Sequence, residues 1–188
     1  MIYPFALGPV CILTGLFLVI MHGLAFLKPA AAQAWLRAFP RSRSWGTGLL
    51  VVAAVWSWAL VSTIDLGEFS NWRFRIEIFI PVAAYLTWRY VDEFLAVRAL
   101  GMVTLLVAEP LLEAAWLRPE LAHLFLVTLA YVYIVFAMFW IGMPYVLRDH
   151  VAWITKSESR WRAAALAGIV YGVVLAILGA LAITSRPA

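Results

Sequence analysis

Charge is scarce in this chain. Asp, Glu, Lys and Arg make up 13% of its 188 residues, about half the share that a water-soluble domain uses to cover its surface. A soluble globular class is thereby excluded. Cysteine occurs once, at Cys11, which rules out an intramolecular disulfide and any multi-cysteine zinc or iron–sulfur site. No polar stretch is long enough to form a separate domain. There is no Ser/His/Asp or Cys/His set at one depth, no Gly-rich phosphate loop and no His-x-x-x-His metal motif. Together these absences point away from an enzyme.

What is abundant is apolar. Hydrophobic residues make up 65% of the chain, mean hydropathy is +0.94, and there are ten tryptophans. Several apolar runs reach the roughly 20 residues needed to cross a hydrocarbon core of about 30 Å. The expected class is an all-α integral membrane protein, a single bundle of about six transmembrane helices with short loops. The expected spans are residues 5–27, 45–62, 76–95, 97–117, 121–146 and 163–184. No basic residue precedes the first apolar run, and Lys28 follows it, so this run is expected to be a retained span rather than a cleaved signal peptide. Between the first two spans, Ala32, Trp35, Leu36 and Phe39 fall on one helical face. That piece, residues 30–39, reads either as an interfacial amphipathic helix or as an ordered loop with a snorkelling tryptophan.

The fourth span has no obvious beginning. No Pro, Gly or Asn marks a turn between Tyr85 and Leu100. Yet a continuous helix from Ile76 to Leu117 would be about 63 Å long at 1.5 Å per residue, twice the core thickness. The chain must therefore reverse near the charged Arg89–Arg98 piece, where Asp92 and Glu93 also sit.

The basic residues set an orientation. Lys28, Arg37, Arg41, Arg43, Arg89, Arg98, Arg148, Lys156, Arg160 and Arg162 flank the odd-numbered connections, while Arg73, Arg75, Arg118 and Arg186 lie on the other side. The positive-inside rule places the first group in the cytoplasm and both termini outside it, as in a bacterial inner membrane. A sequence pI near 9.5 then reflects membrane orientation and contact with anionic lipid, not nucleic acid.

Candidate sites follow from charges that hydrocarbon should reject. Glu109 and Glu113 are one helical turn apart on the same face, and Arg98 shares that face about 16 Å lower. Pro110 cannot donate to the carbonyl of Leu106, which loosens the helix beside Glu109. An intramembrane carboxylate must be neutral, paired or facing water. One reading is a proton, cation or polar-ligand site at Glu109 and Glu113, about 12 Å and 6 Å below the outer surface, with Arg73, Arg75, Glu77 and His123 at a similar level. The other is a structural ion pair, Arg75 with Glu109, holding the third span to the fourth. Arg89, Asp92 and Glu93 have spacing for a local salt bridge.

Gly168, Gly172, Ala176 and Gly179 form a small-residue seam along the last span, where another backbone can approach closely. Its partner is either another span or another subunit. A bis-His haem is not expected, since His22 and His123 fall at opposite ends of their spans and His150 in a connection. The aromatic run of the fifth span, including Tyr131, Tyr133 and Phe136, fits packing or lipid contact, with a quinone, sterol or pigment groove as the alternative. The expected partners are membrane lipids and either other membrane subunits or further copies of the chain. The expected function is an accessory or scaffold subunit of a membrane assembly. The alternatives are a small ion- or proton-coupled transporter working through Glu109 and Glu113, or a lipid-modifying enzyme.

Overall fold

A computed structural model describes Tyr3, residues 5–91 and residues 93–184. Among the described residues the secondary structure is entirely helical: α1 (Leu7–Leu27), α2 (Pro29–Ala38), α3 (Arg43–Thr63), α4 (Arg73–Tyr90), α5 (Leu95–Ala115), α6 (Ala122–Gly142), α7 (Tyr145–Ile154) and α8 (Glu158–Thr184). Short 3-10 turns, Phe39–Arg41 and Gly67–Trp72, precede α3 and α4. Pro29 opens α2 at a position where its missing N–H is not needed. The Ser42 hydroxyl accepts the Trp45 N–H at 3.4 Å and caps α3.

Five helices, α1, α3, α5, α6 and α8, are long and apolar enough to cross a membrane, the pattern of an integral membrane protein. The expected third span, 76–95, is shifted: α4 begins at Arg73, ends at Tyr90, and carries Arg73, Arg75, Glu77 and Arg89. Those charges keep it out of the apolar set. The reversal falls between the end of α4 at Tyr90 and the start of α5 at Leu95, so Arg98 lies inside α5 rather than in the connection. Phe94 makes the turn by adopting a left-handed conformation (φ 57°, ψ 29°), which costs a bulky residue about 1–3 kcal/mol. Residues 121–146 are also not one span, because α6 stops at Gly142 and a separate short helix, α7, follows. The 30–39 piece is helical, as α2.

The two ends of the bundle differ. One, the basic end, carries α2, the α4–α5 connection and α7. The other gathers Tyr3, the end of α3, the start of α4, and the α5–α6 connection. α1 and α8 run antiparallel in close contact, Gly8 meeting Gly179 and Gly15 meeting Gly172. α6 runs antiparallel to α5, with Gly101 against the Ala137 carbonyl. These two pairs share one core, built from Leu7, Cys11, Leu111, Ala115, Leu126 and Leu175 among others. α3 lies parallel to α5 on its other side, Gly46 touching Ala96 and Leu50 packing with Ala99. α4 is outermost, antiparallel to α3 from Arg73 beside Val61 to Trp88 beside Arg43.

Alanine and glycine dominate the buried positions of α5: Ala96, Ala99, Gly101, Ala108, Ala114 and Ala115. Among lipid tails, which are as apolar as leucine, burial of large apolar side chains would give little drive for association. Close backbone approach supplies dispersion contacts instead. The large side chains point outward, Leu13 at 68% and Val55 at 61% exposure, as lipid-facing residues do.

Candidate functional site

The small-residue seam of α8 faces α1. A Cβ on Gly172 would lie 2.7 Å from the Gly15 carbonyl, and one on Gly179 would lie 2.8 Å from that of Gly8. A Cβ on Gly168 would overlap the His22 ring, and Ala176 meets Gly15. At the basic end the seam is latched by the Trp161 indole N–H, which donates to the Ala25 carbonyl at 3.0 Å. Ala25 is in the last turn of α1, where carbonyls lack partners in their own helix. Tyr171 ties α8 to α6 by donating to the Phe125 carbonyl at 2.7 Å.

Several arginines are occupied at helix C-termini, where guanidinium donors satisfy orphan carbonyls and oppose the negative end of the helix dipole. Arg73 donates to the carbonyls of Val61, Ser62 and Ile64 at 2.7, 2.6 and 2.7 Å, closing α3. Arg98 donates to the Ile141 carbonyl, near the end of α6. Arg37 reaches the Thr155 hydroxyl and carbonyl, both at 3.1 Å, just past α7. The spacing of charges along the sequence does not reveal these roles, because each carbonyl belongs to a different helix.

Arg98 is therefore at the basic end and plays no part around Glu109. The expected Arg75–Glu109 pair is absent as well. Arg75 lies over the Trp72 ring, 4.7 Å from its centroid, and Arg73 is engaged by α3. The reason is topological: α4 packs on α3, whereas Glu109 is on α5. Glu77 is half-buried on α4. Arg89 stands over Tyr90; of its two expected partners, Asp92 lies outside the described residues, as does Arg186, and Glu93 makes no ion pair among the described residues.

Glu109 and Glu113 do come together, in an open groove of about 550 Å³ between α5 and α6 whose other walls are Leu105, Ala108, Leu112, Trp116 and Ile134. Because α5 ends at Ala115, Glu109 lies about 9 Å and Glu113 about 3 Å from the helix end, slightly shallower than expected. Glu113 accepts the Tyr3 backbone N–H at 2.7 Å. The Tyr3 hydroxyl in turn accepts the Trp56 indole N–H at 2.7 Å, so Tyr3 bridges α5 to α3 at this end. Among the described residues Glu109 has neither a hydrogen-bond partner nor an ion-pair partner. Two carboxylates one turn apart, one of them unpaired in an otherwise apolar groove, form a site able to take a proton or a cationic group.

His22 and His123 stand at opposite ends of the bundle, their Nδ1 atoms 2.9 Å from the carbonyls of Leu18 and Glu120. Among the described residues no three His, Cys, Asp or Glu side chains gather as a metal site. Tyr131 faces outward and Phe136 stacks on Trp140. The class defined by these features is a helical bundle with membrane-length apolar helices and a carboxylate groove near one end. Compared with family models, curated proteins and solved structures, the chain matches none.

Proposed function

We propose that this chain is a six-span protein of a bacterial inner membrane, both termini outside the cytoplasm, working as a small carrier that binds a proton or a cationic group at Glu109 and Glu113. The observation that carries the proposal is the unpaired Glu109 carboxylate in an apolar groove. A structural role would have supplied it with an arginine, and Arg75 and Arg73, the partners expected from the sequence, are engaged elsewhere. Pro110 leaves the Leu106 carbonyl without its helical donor, which loosens α5 beside the carboxylate. α4 supports the sixth span, since it accompanies α3 along its length and is about 27 Å long. The orientation rests on the excess of Lys and Arg at the basic end.

The experiment uses the full chain in liposomes loaded with a pH-sensitive dye and challenged with gradients of sodium, potassium or a small organic ammonium ion. The wild type should exchange protons for one of them, and Glu109→Gln should not, with an unchanged melting temperature because no partner is orphaned. Dicyclohexylcarbodiimide, which attacks protonated carboxyls in apolar surroundings, should label Glu109. A Glu109→Gln protein that melts well below the wild type would defeat this reading, and so would the absence of both labelling and exchange.

A second reading, an accessory subunit of a membrane assembly, is favoured by α4. It has no buried residue although it carries Arg75 and Glu77, as an edge awaiting a partner helix would. Stable co-purification of a partner that is lost on substituting Glu77, without cation exchange, would favour it.

A further inference from the structure

We propose that the basic end binds one anionic phospholipid, its phosphate headgroup among Arg37, Arg41, Arg148 and Lys156 and an acyl chain in the adjoining apolar groove. The headgroup pocket, about 390 Å³, lies between α2, the Phe39–Arg41 turn and α7, and those four cations line it together with Phe94 and Thr155. No carboxylate lines it, although Arg148 is paired with the neighbouring Asp149 at 2.8 Å. Arg41 and Lys156 have no ion-pair partner among the described residues. Arg37 is held in place by two bonds to Thr155, so one guanidinium is oriented before any ligand arrives. Preorganised donors lose less freedom on binding than flexible ones. Phe94 lines this pocket from the strained left-handed turn.

The second groove, about 470 Å³, lies between the ends of α1, α2 and α8 and is walled by Met21, Leu24, Ala32, Trp35, Trp161 and Ala165. Leu36 lines both cavities, so a cationic compartment and an apolar one meet at a single side chain. Both volumes fall within the range of small-molecule sites, roughly 300–1,000 Å³. Trp35, Phe39 and Trp45 pack together with ring centroids 5.2–6.4 Å apart and hold α2 over the bundle. An inorganic phosphate would use only the first compartment. The paired grooves match an amphiphile, and the charge of the first selects an anionic headgroup.

The test uses the full-length protein in a zwitterionic detergent, titrated with phosphatidylglycerol, phosphatidylcholine or inorganic phosphate and read by native mass spectrometry. Each cation near an anionic lipid is worth roughly fivefold in binding. Arg41→Gln/Lys156→Gln should therefore bind phosphatidylglycerol roughly thirtyfold more weakly, with phosphatidylcholine unaffected. Ala164→Trp, filling the apolar groove, should weaken phosphatidylglycerol as well, while Arg75→Gln at the other end should not. Affinity of the unaltered protein for phosphatidylglycerol should also fall as salt rises, a readout needing no variant. Equal binding of both lipids, or a salt-independent affinity, would overturn the proposal. So would phosphate binding as tight as that of phosphatidylglycerol and indifferent to Ala164→Trp, which would leave a free-phosphate site.

Discussion

Replacing Gly172 with alanine asks whether close approach of α1 and α8 holds the bundle together. The new Cβ would sit 2.7 Å from the Gly15 carbonyl oxygen and 3.0 Å from both the Leu18 Cβ and the Val19 Cγ2. That is about 0.7 Å inside ordinary contact, on the repulsive wall of the dispersion well. The nearest atom belongs to backbone, so relief requires the helices to move apart along a seam that also includes Gly8 and Gly179. Overpacking of this kind costs about 1–3 kcal/mol. Alanine is itself a better helix former than glycine by up to about 1 kcal/mol, which hides part of the clash. Gly23→Ala provides the correction: it lies in the same helix pair, and nothing stands within 4 Å of its added Cβ. The difference between the two alanine variants isolates the packing term, about 1–3 kcal/mol. At roughly 2–4 °C per kcal/mol for a chain of this size, Gly172→Ala should melt several degrees below Gly23→Ala in detergent. Gly172→Leu, pushing further into Leu18 and Val19, should lower the folded yield. If Gly172→Ala and Gly23→Ala melt together, the seam contributes nothing and the argument fails.

Two further outcomes test the architecture. In a Cys11→Ala background, cysteines placed at Glu68 and Arg118 should react with an impermeant reagent from outside. Those at Arg41 and Lys156 should react only after permeabilisation, and the reverse pattern would invert the orientation. Arg73→Ala should destabilise the fold by about 1–3 kcal/mol, because three carbonyls at the end of α3 lose a charged donor. Arg75→Ala, which loses only a contact with the exposed Trp72 ring, should change melting little; equal effects from both would refute the capping role of Arg73.

Chain length and hydropathy alone determine the helical class and require a reversal between Ile76 and Leu117. Those conclusions follow from how far a helix rises per residue and from what hydrocarbon tolerates. The residue that makes the turn was not legible, because Phe94 is a bulky side chain in a conformation usually left to glycine. α7 was also missed, although Leu147, Val151 and Ile154 share one face, because Arg148, Asp149 and His150 read as loop. Glu109 and Glu113 were legible as neighbours, since one turn of one helix sets their separation. Their surroundings were not. Whether Arg75 reaches Glu109 depends on which helices touch, and short loops fix only that consecutive helices are antiparallel. In the same way, the glycines of α8 announce that something approaches closely, but only the tertiary structure identifies it as α1, from the far end of the sequence. Periodicity and composition act locally along the chain; adjacency in a bundle is settled by how all the helix faces pack at once.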